Sequence, residues 1–164
     1  MAVFKAYDIR GTVPDQLNPE LAYQVGSATA QFLGCGRLVV GRDARSHSPA
    51  IGDALVRGML DAGASVLDIG LVTTPMVYYA VDAEGAAGGV MVTASHNPGN
   101  YNGFKICREH AIPIGEATGL KAIEAIAMDV TVPTGDLTPA PGLCDAKDVL
   151  AGYVRHVLGV GGRL

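Results

Sequence analysis

GVMVTASHNPGNYNGFKI, residues 89–106, holds two apolar runs with a turn between them. Gly89 to Thr93 reads as a strand that is apolar on both sides, and Gly103 to Cys107 as another. Continuous apolar strands belong to sheets covered on both faces, the pattern of α/β proteins. Only about nine residues separate the two runs. A parallel crossover takes a dozen or more, usually through a helix. The second strand is therefore expected to run antiparallel to the first. Between them, Asn97-Pro98-Gly99-Asn100 makes a tight turn. Ser95 and His96 stand where the first strand ends.

The flanking sequence alternates in the same way. Asn18-Pro19 reads as an N-cap and first helical residue, with Leu21, Val25, Ala28 and Phe32 at helical spacing and Gly34 as the stop. Arg37 to Gly41 is a short buried strand. Ser48-Pro49 opens a second helix carrying Ile51, Leu55 and Met59, which Gly63 ends. Ser65 to Ile69 is the next strand. Thr74-Pro75 opens a shorter helix to about Val81. A further helix spans about Glu116 to Ala127. These elements predict an α/β fold, a three-layer α/β/α sandwich with a mixed, mainly parallel four-stranded sheet whose last strand is antiparallel. Residues 1–128 make one domain. Residues 129–144, rich in proline and glycine, read as a linker. In residues 145–164, Asp145 is expected to cap a last helix bearing Leu150, Val154 and Val157. That stripe either docks back on the domain or waits for chain beyond Leu164.

Composition narrows the function. Hydrophobic residues are 49% of 164, enough for a core, and the net charge is -4. No basic stripe with interleaved aromatics argues for nucleic acid. No apolar run approaches the roughly 20 residues of a membrane span, and the N-terminus lacks a signal-peptide core. The expectation is a soluble, cytoplasmic protein with no nucleic-acid or membrane partner. Cys35, Cys107 and Cys144 are scattered, with neither disulfide nor zinc spacing. His47, His110 and His156 read as ordinary surface residues.

Ligands of open α/β sheets bind beyond the carboxyl ends of the strands. Arg42, Asp43 and Arg45 lie there, with Thr73 and Thr74, and with Ser95 and His96. Tyr7 to Gly11, before the first helix, could fold over the same edge. A hydrolase is disfavoured. Adjacent residues of an extended segment point apart, so His96 is badly placed to deprotonate Ser95, and the G-x-S-x-G elbow is missing. A phosphorylated Ser95 fits better. It would want cations, which His96, Lys105, Arg10 and the Arg42/Arg45 pair could supply, and free N–H groups from the turn at Asn97. The plainer readings stand beside these: Ser95 as a loop cap, and Lys105, between Phe104 and Ile106, as an edge lysine.

Four segments, FKAYDIRG (4–11), VVGRDARSHSP (39–49), DIGLVTTP (68–75) and GVMVTASHNPGNYNGFKI (89–106), together resemble the first domain of the α-D-phosphohexomutases, the phosphomannomutase/phosphoglucomutase group. The resemblance covers about residues 4–127 and continues more weakly into 145–158. It implies reversible transfer of a phosphoryl group between C1 and C6 of a hexose phosphate substrate. A hexose 1,6-bisphosphate serves as intermediate and activator. It makes Ser95 the phosphate carrier and Lys105 the general acid/base candidate. His96 and Arg10 become active-site cations, and Tyr7, Arg10 and Lys105 the substrate-facing set. Asn97 and Arg45 support the phosphate loop. Mg2+ is implied, with Ser95 contributing through its phosphate and the main ligands in a second domain. The relatives often have a small residue where this chain has His47. The family's further domains would be partners missing from these residues, with 145–164 the lead-in to the second. The chain alone is then expected to be inactive. A glucosamine-phosphate mutase domain and a non-catalytic sugar-phosphate-binding or regulatory module are the alternatives.

Overall fold

A computed structural model describes residues 3–161. In chain order the elements are β1 (Ile9–Thr12), α1 (Pro19–Phe32), β2 (Arg37–Arg42), α2 (Ser48–Asp61), β3 (Ser65–Leu71), α3 (Thr74–Ala83), β4 (Gly88–Val92) and β5 (Tyr101–Arg108). Two 3-10 turns follow at Glu109–Ala111 and Glu116–Thr118, then α4 (Leu120–Asp129), β6 (Asp145–Ala146) and α5 (Leu150–Gly161). The strands form one sheet in the order β1-β5-β4-β2-β3-β6. β2 pairs parallel with β3 and β4, and β3 with β6. β5 runs antiparallel to β4 and to β1.

The alternation of strand side chains builds two cores. Leu38, Val40, Val90, Val92, Phe104 and Ile106 face α1, α2 and α4. Their sequence neighbours Val39, Met91 and Cys107 face α3. Helices α1 and α2 cross with their backbones almost touching. A Cβ on Gly26 would strike the Leu55 carbonyl, and one on Gly58 the Tyr23 carbonyl. This close crossing fixes α2, whose first turn carries the residues that reach the Ser95 loop.

The α/β sandwich and the antiparallel β5 agree with the sequence reading, but the sheet has six strands rather than four. β1 has no strand signal in the sequence, because IRGT is too short, and too broken by Gly11, to show alternation. β6 has two residues, below any periodic signal. The helix expected over 116–127 is broken at Gly119, which sits at φ 150° and separates the 3-10 turn from α4. Asp145 does not cap the last helix. It lies in β6, paired with Leu67, and its carboxylate takes a hydrogen bond from Arg37 at 3.1 Å. The Asp148 carboxylate accepts from the Leu150 N–H instead. The α5 stripe is also rotated from expectation. Val149 and Tyr153 pack on the α3 core, while Leu150, Val154 and Val157 are exposed.

Candidate active site

β4 ends against β5 where the Thr93 N–H donates to the Gly103 carbonyl. The chain then turns sharply. Ser95 has φ 53°, in the left-handed region that costs a non-glycine residue about 1–2 kcal/mol. Something must hold it there. The Ser95 N–H donates to Thr93 Oγ1 (2.9 Å), and Thr93 Oγ1–H donates to Asp43 Oδ2 (2.8 Å). Asp43 also accepts from Ser48 Oγ (2.6 Å) and from the backbone and Nε of Arg45 (both 3.1 Å). Burial pushes the Asp43 carboxyl up. The Ser48 and Thr93 hydroxyls, the Arg45 N–H and the Arg45 charge outweigh it and hold it below the usual carboxylate value.

Arg45 clamps the loop. Its Nη1 donates to the carbonyls of Pro98 (2.7 Å) and Tyr101 (3.1 Å), and its Nη2 to those of Ser95 (2.9 Å) and Asn97 (2.8 Å). With the carbonyls drawn inward, the side chains of Ser95 and His96 are left exposed. Arg45 is therefore engaged with backbone and not available as a cation for a group on Ser95. Asn97 folds back, its N–H and its Nδ2 both donating to the Ala94 carbonyl. The N–H groups of Ser95, Asn97 and Tyr101 are used within the loop and its supports, so the turn offers fewer free donors than its sequence suggested.

A second group gathers at the β1–β5 edge. Lys105 opposes Met91, lower on the sheet than Ser95, and its Nζ lies 3.2 Å from Asp8 Oδ2. Arg10, opposite Gly103, places Nη2 3.5 Å from Asp8 Oδ1. One carboxylate thus bridges two cations. Tyr7 is 83% exposed and lines a cleft of about 650 Å³ with Gly115, Glu116, Thr118 and Lys121. His96 makes no hydrogen bond or ion pair among the described residues. A cleft of about 790 Å³ opens at the carboxyl ends of β2 and β3 beside Thr73, Met76 and Lys147, and meets the Ser95 network at Asp43.

Of the residues singled out in the sequence, Ser95, His96, Asn97 and Arg45 meet at the end of β4, while Arg10 and Lys105 gather around Asp8 at the β1–β5 edge. Asp8 was missed, although its place between Tyr7 and Arg10 was a signal. So was Asn102, which is fully buried in β5. His47 is not an ordinary surface residue: it is half-buried and bonded to the Ser95 loop.

The family model for phosphoglucomutase/phosphomannomutase, alpha/beta/alpha domain I, matches residues 1–132. The chain belongs to this phosphohexomutase family. A phosphomannomutase of Escherichia coli is 47% identical over 160 residues, covering 97% of this chain and 35% of the relative. One from Klebsiella pneumoniae is 48% identical over 136 residues, covering 83% of this chain and 87% of the relative. The crystal structure of a phosphoglucomutase/phosphomannomutase family protein from Burkholderia thailandensis superposes with a TM-score of 0.81 at 31% identity, covering 96% of this chain and 35% of that one. The chain thus spans about a third of the length of most such relatives. Among the described residues of this phosphohexomutase domain, no three His, Cys, Asp or Glu side chains are grouped to hold a metal ion.

Proposed function

We propose that this chain is the phosphoserine-bearing domain of a phosphohexomutase that moves a phosphoryl group between C1 and C6 of a hexose phosphate. The observation that carries the reading is Ser95. It is an exposed hydroxyl held in a strained left-handed conformation by the Thr93–Asp43 relay and the Arg45 clamp. Strain maintained by so many bonds is the mark of a placed functional group.

In the reaction, the bond between phosphorus and Ser95 Oγ breaks as a sugar hydroxyl oxygen bonds to phosphorus, and the hydroxyl proton leaves. The second half reverses this with the other phosphate of the bisphosphorylated sugar, so Ser95 ends phosphorylated again. Phosphoryl transfer depends mainly on positioning and on stabilising spread charge. Arg10 and His96 supply positive charge, and Lys105, held by Asp8, exchanges the proton. Asn97 and Arg45 keep the loop in shape, and Tyr7 faces the substrate. Mg2+, when bound, offsets phosphate charge, with Ser95 contributing through its phosphate and the main ligands lying outside these residues. Turnover needs the rest of a longer chain, so these 164 residues alone are inactive as a mutase.

The test is intact-mass analysis of the longer protein bearing this domain after incubation with a hexose 1,6-bisphosphate, with the site mapped. One phosphoryl group on Ser95, absent from Ser95→Ala, is the expected result. Phosphate at another residue, or mutase turnover by the Ser95→Ala form of the longer protein, would remove Ser95 from the mechanism. Clear turnover by the 164-residue chain would overturn its predicted inactivity.

A further inference from the structure

The Ser95 loop is held from two sides, and one of its holders can change charge. His47 precedes α2, yet its ring makes no capping bond to its own helix. It reaches across to the loop. Nε2 lies 3.0 Å from the Gly99 carbonyl, and Nδ1 lies 2.9 Å from Asn102 Nδ2. A carbonyl can only accept, so Nε2 carries the proton. Asn102 is oriented independently: its Oδ1 accepts from the Gly103 N–H (2.9 Å), so Nδ2 is the donor. Nδ1 must then accept. The other Nδ2 proton goes to Ser48 Oγ (2.9 Å), whose own proton goes to Asp43 Oδ1 (2.6 Å). Every polar atom in this chain of bonds is committed.

We propose that His47 is a positioning residue for the Ser95 loop, and that it acts only as the neutral ring with its proton on Nε2. A proton on Nδ1 would set two donors face to face. Asn102 is fully buried and cannot escape to water, and flipping its amide would break the bond from Gly103. Protonation therefore costs the network a bond whichever side yields. Arg45, always charged, keeps its four carbonyls, and the Gly99 tip loses its rigid support. The charged groups linked to the ring through this network are Asp43, reached through Ser48, and Arg45, which is bonded to Asp43 and to the same loop. Asp43 stays ionised across the range in which histidines titrate. The purpose of the positioning rests on reading Ser95 as the phosphate carrier; the coupling itself does not.

The test is NMR on the 164-residue chain between about pH 5 and 8. Long-range ¹⁵N–¹H spectra should show His47 protonated at Nε2 and bare at Nδ1 at the upper end. Exchange protection of the Asn97 and Tyr101 amides, corrected for intrinsic rates, should fall about fivefold as the ring gains its proton. His47→Gln, whose amide can still donate to Gly99 without titrating, should hold protection high and flat. His47→Ala should be low and flat. The β4 amides report that each variant is folded. A proton on Nδ1, a wild-type loop indifferent to ring charge, or an alanine variant matching wild type would overturn the proposal. Phosphate uptake at Ser95, read on the longer protein and on its His47→Gln form, separates the two ideas. Coupling without uptake sinks the carrier reading alone, and uptake without coupling sinks this one alone.

Discussion

Two residues show how far position and environment part company. Asp43 stands in the loop after β2, among the polar residues at the carboxyl ends of the strands, and it accepts four hydrogen bonds. An asparagine there would turn one oxygen into a donor facing other donors. Asp43→Asn is expected to cost about 2–4 kcal/mol in urea unfolding at neutral pH; a loss below about 0.5 kcal/mol would mean that the relay is not what holds Ser95. The sign of the pH effect follows from the lowered carboxyl. Its contribution is complete above the ordinary value of 3.8 and is lost as pH falls through the lower folded value. Wild type should therefore lose more stability than Asp43→Asn on acidification below about pH 4. Cys107 is the opposite case. Burial pushes its thiol up to about 11, partly countered by its contact with the Gly89 carbonyl. At mildly alkaline pH, an alkylating reagent should label the half-exposed Cys35 and Cys144 and leave Cys107 untouched until the chain unfolds. Labelling of Cys107 in the folded chain would show that the β5–α3 face opens.

At the scale of elements, the sequence was most legible where periods were long. α1 and α2 each have fourteen residues, with proline early and glycine after the end, and both were readable. β4 and β5 were readable from their apolar runs and short connection. β1 was not, because its evidence is positional rather than periodic. It exists because Gly103 lets it approach: a Cβ there would collide with the Ile9 carbonyl. Serine and lysine stand out in the motif, whereas the bonds made by Asp8, Asp43, His47 and Asn102 become visible only when distant segments meet. Hydrogen bonds between residues some fifty positions apart leave no trace in spacing. Gly103→Ala should displace β1 from the sheet at a cost of about 1–3 kcal/mol and release Asp8 from Lys105 and Arg10. Hydrogen exchange would show faster amides in Ile9 to Thr12, with β2 and β4 unchanged. Unchanged protection in β1 would mean that the strand accommodates the methyl group.

At the scale of the whole molecule, the two faces of the sheet are covered unequally. α1, α2 and α4 close one side, with Leu137 and Cys144, between α4 and β6, packed against that core. The segment after α4 then carries the chain past the β3 edge, where β6 adds its two residues, and delivers α5 to the α3 side. There Val149 and Tyr153 bury themselves, Tyr153 meets Tyr79 edge-on at 5.8 Å, and His156 lies 5.2 Å from the same ring. Leu150, Val154, Val157, Leu158 and Val160 remain exposed. A helix of about a dozen residues is marginal in water without tertiary packing, and α5 has that packing only along its first half. Its amides beyond Tyr153 should therefore exchange about a hundredfold faster than those in the middle of α1 in the monomeric 164-residue chain. Tyr79→Ala should extend the fast exchange back through Tyr153, while α1 and α2 keep their protection, because none of their core contacts passes through Tyr79. Full protection along α5 in a chain shown to be monomeric would mean that the helix holds by local interactions, and that its exposed apolar face needs no cover.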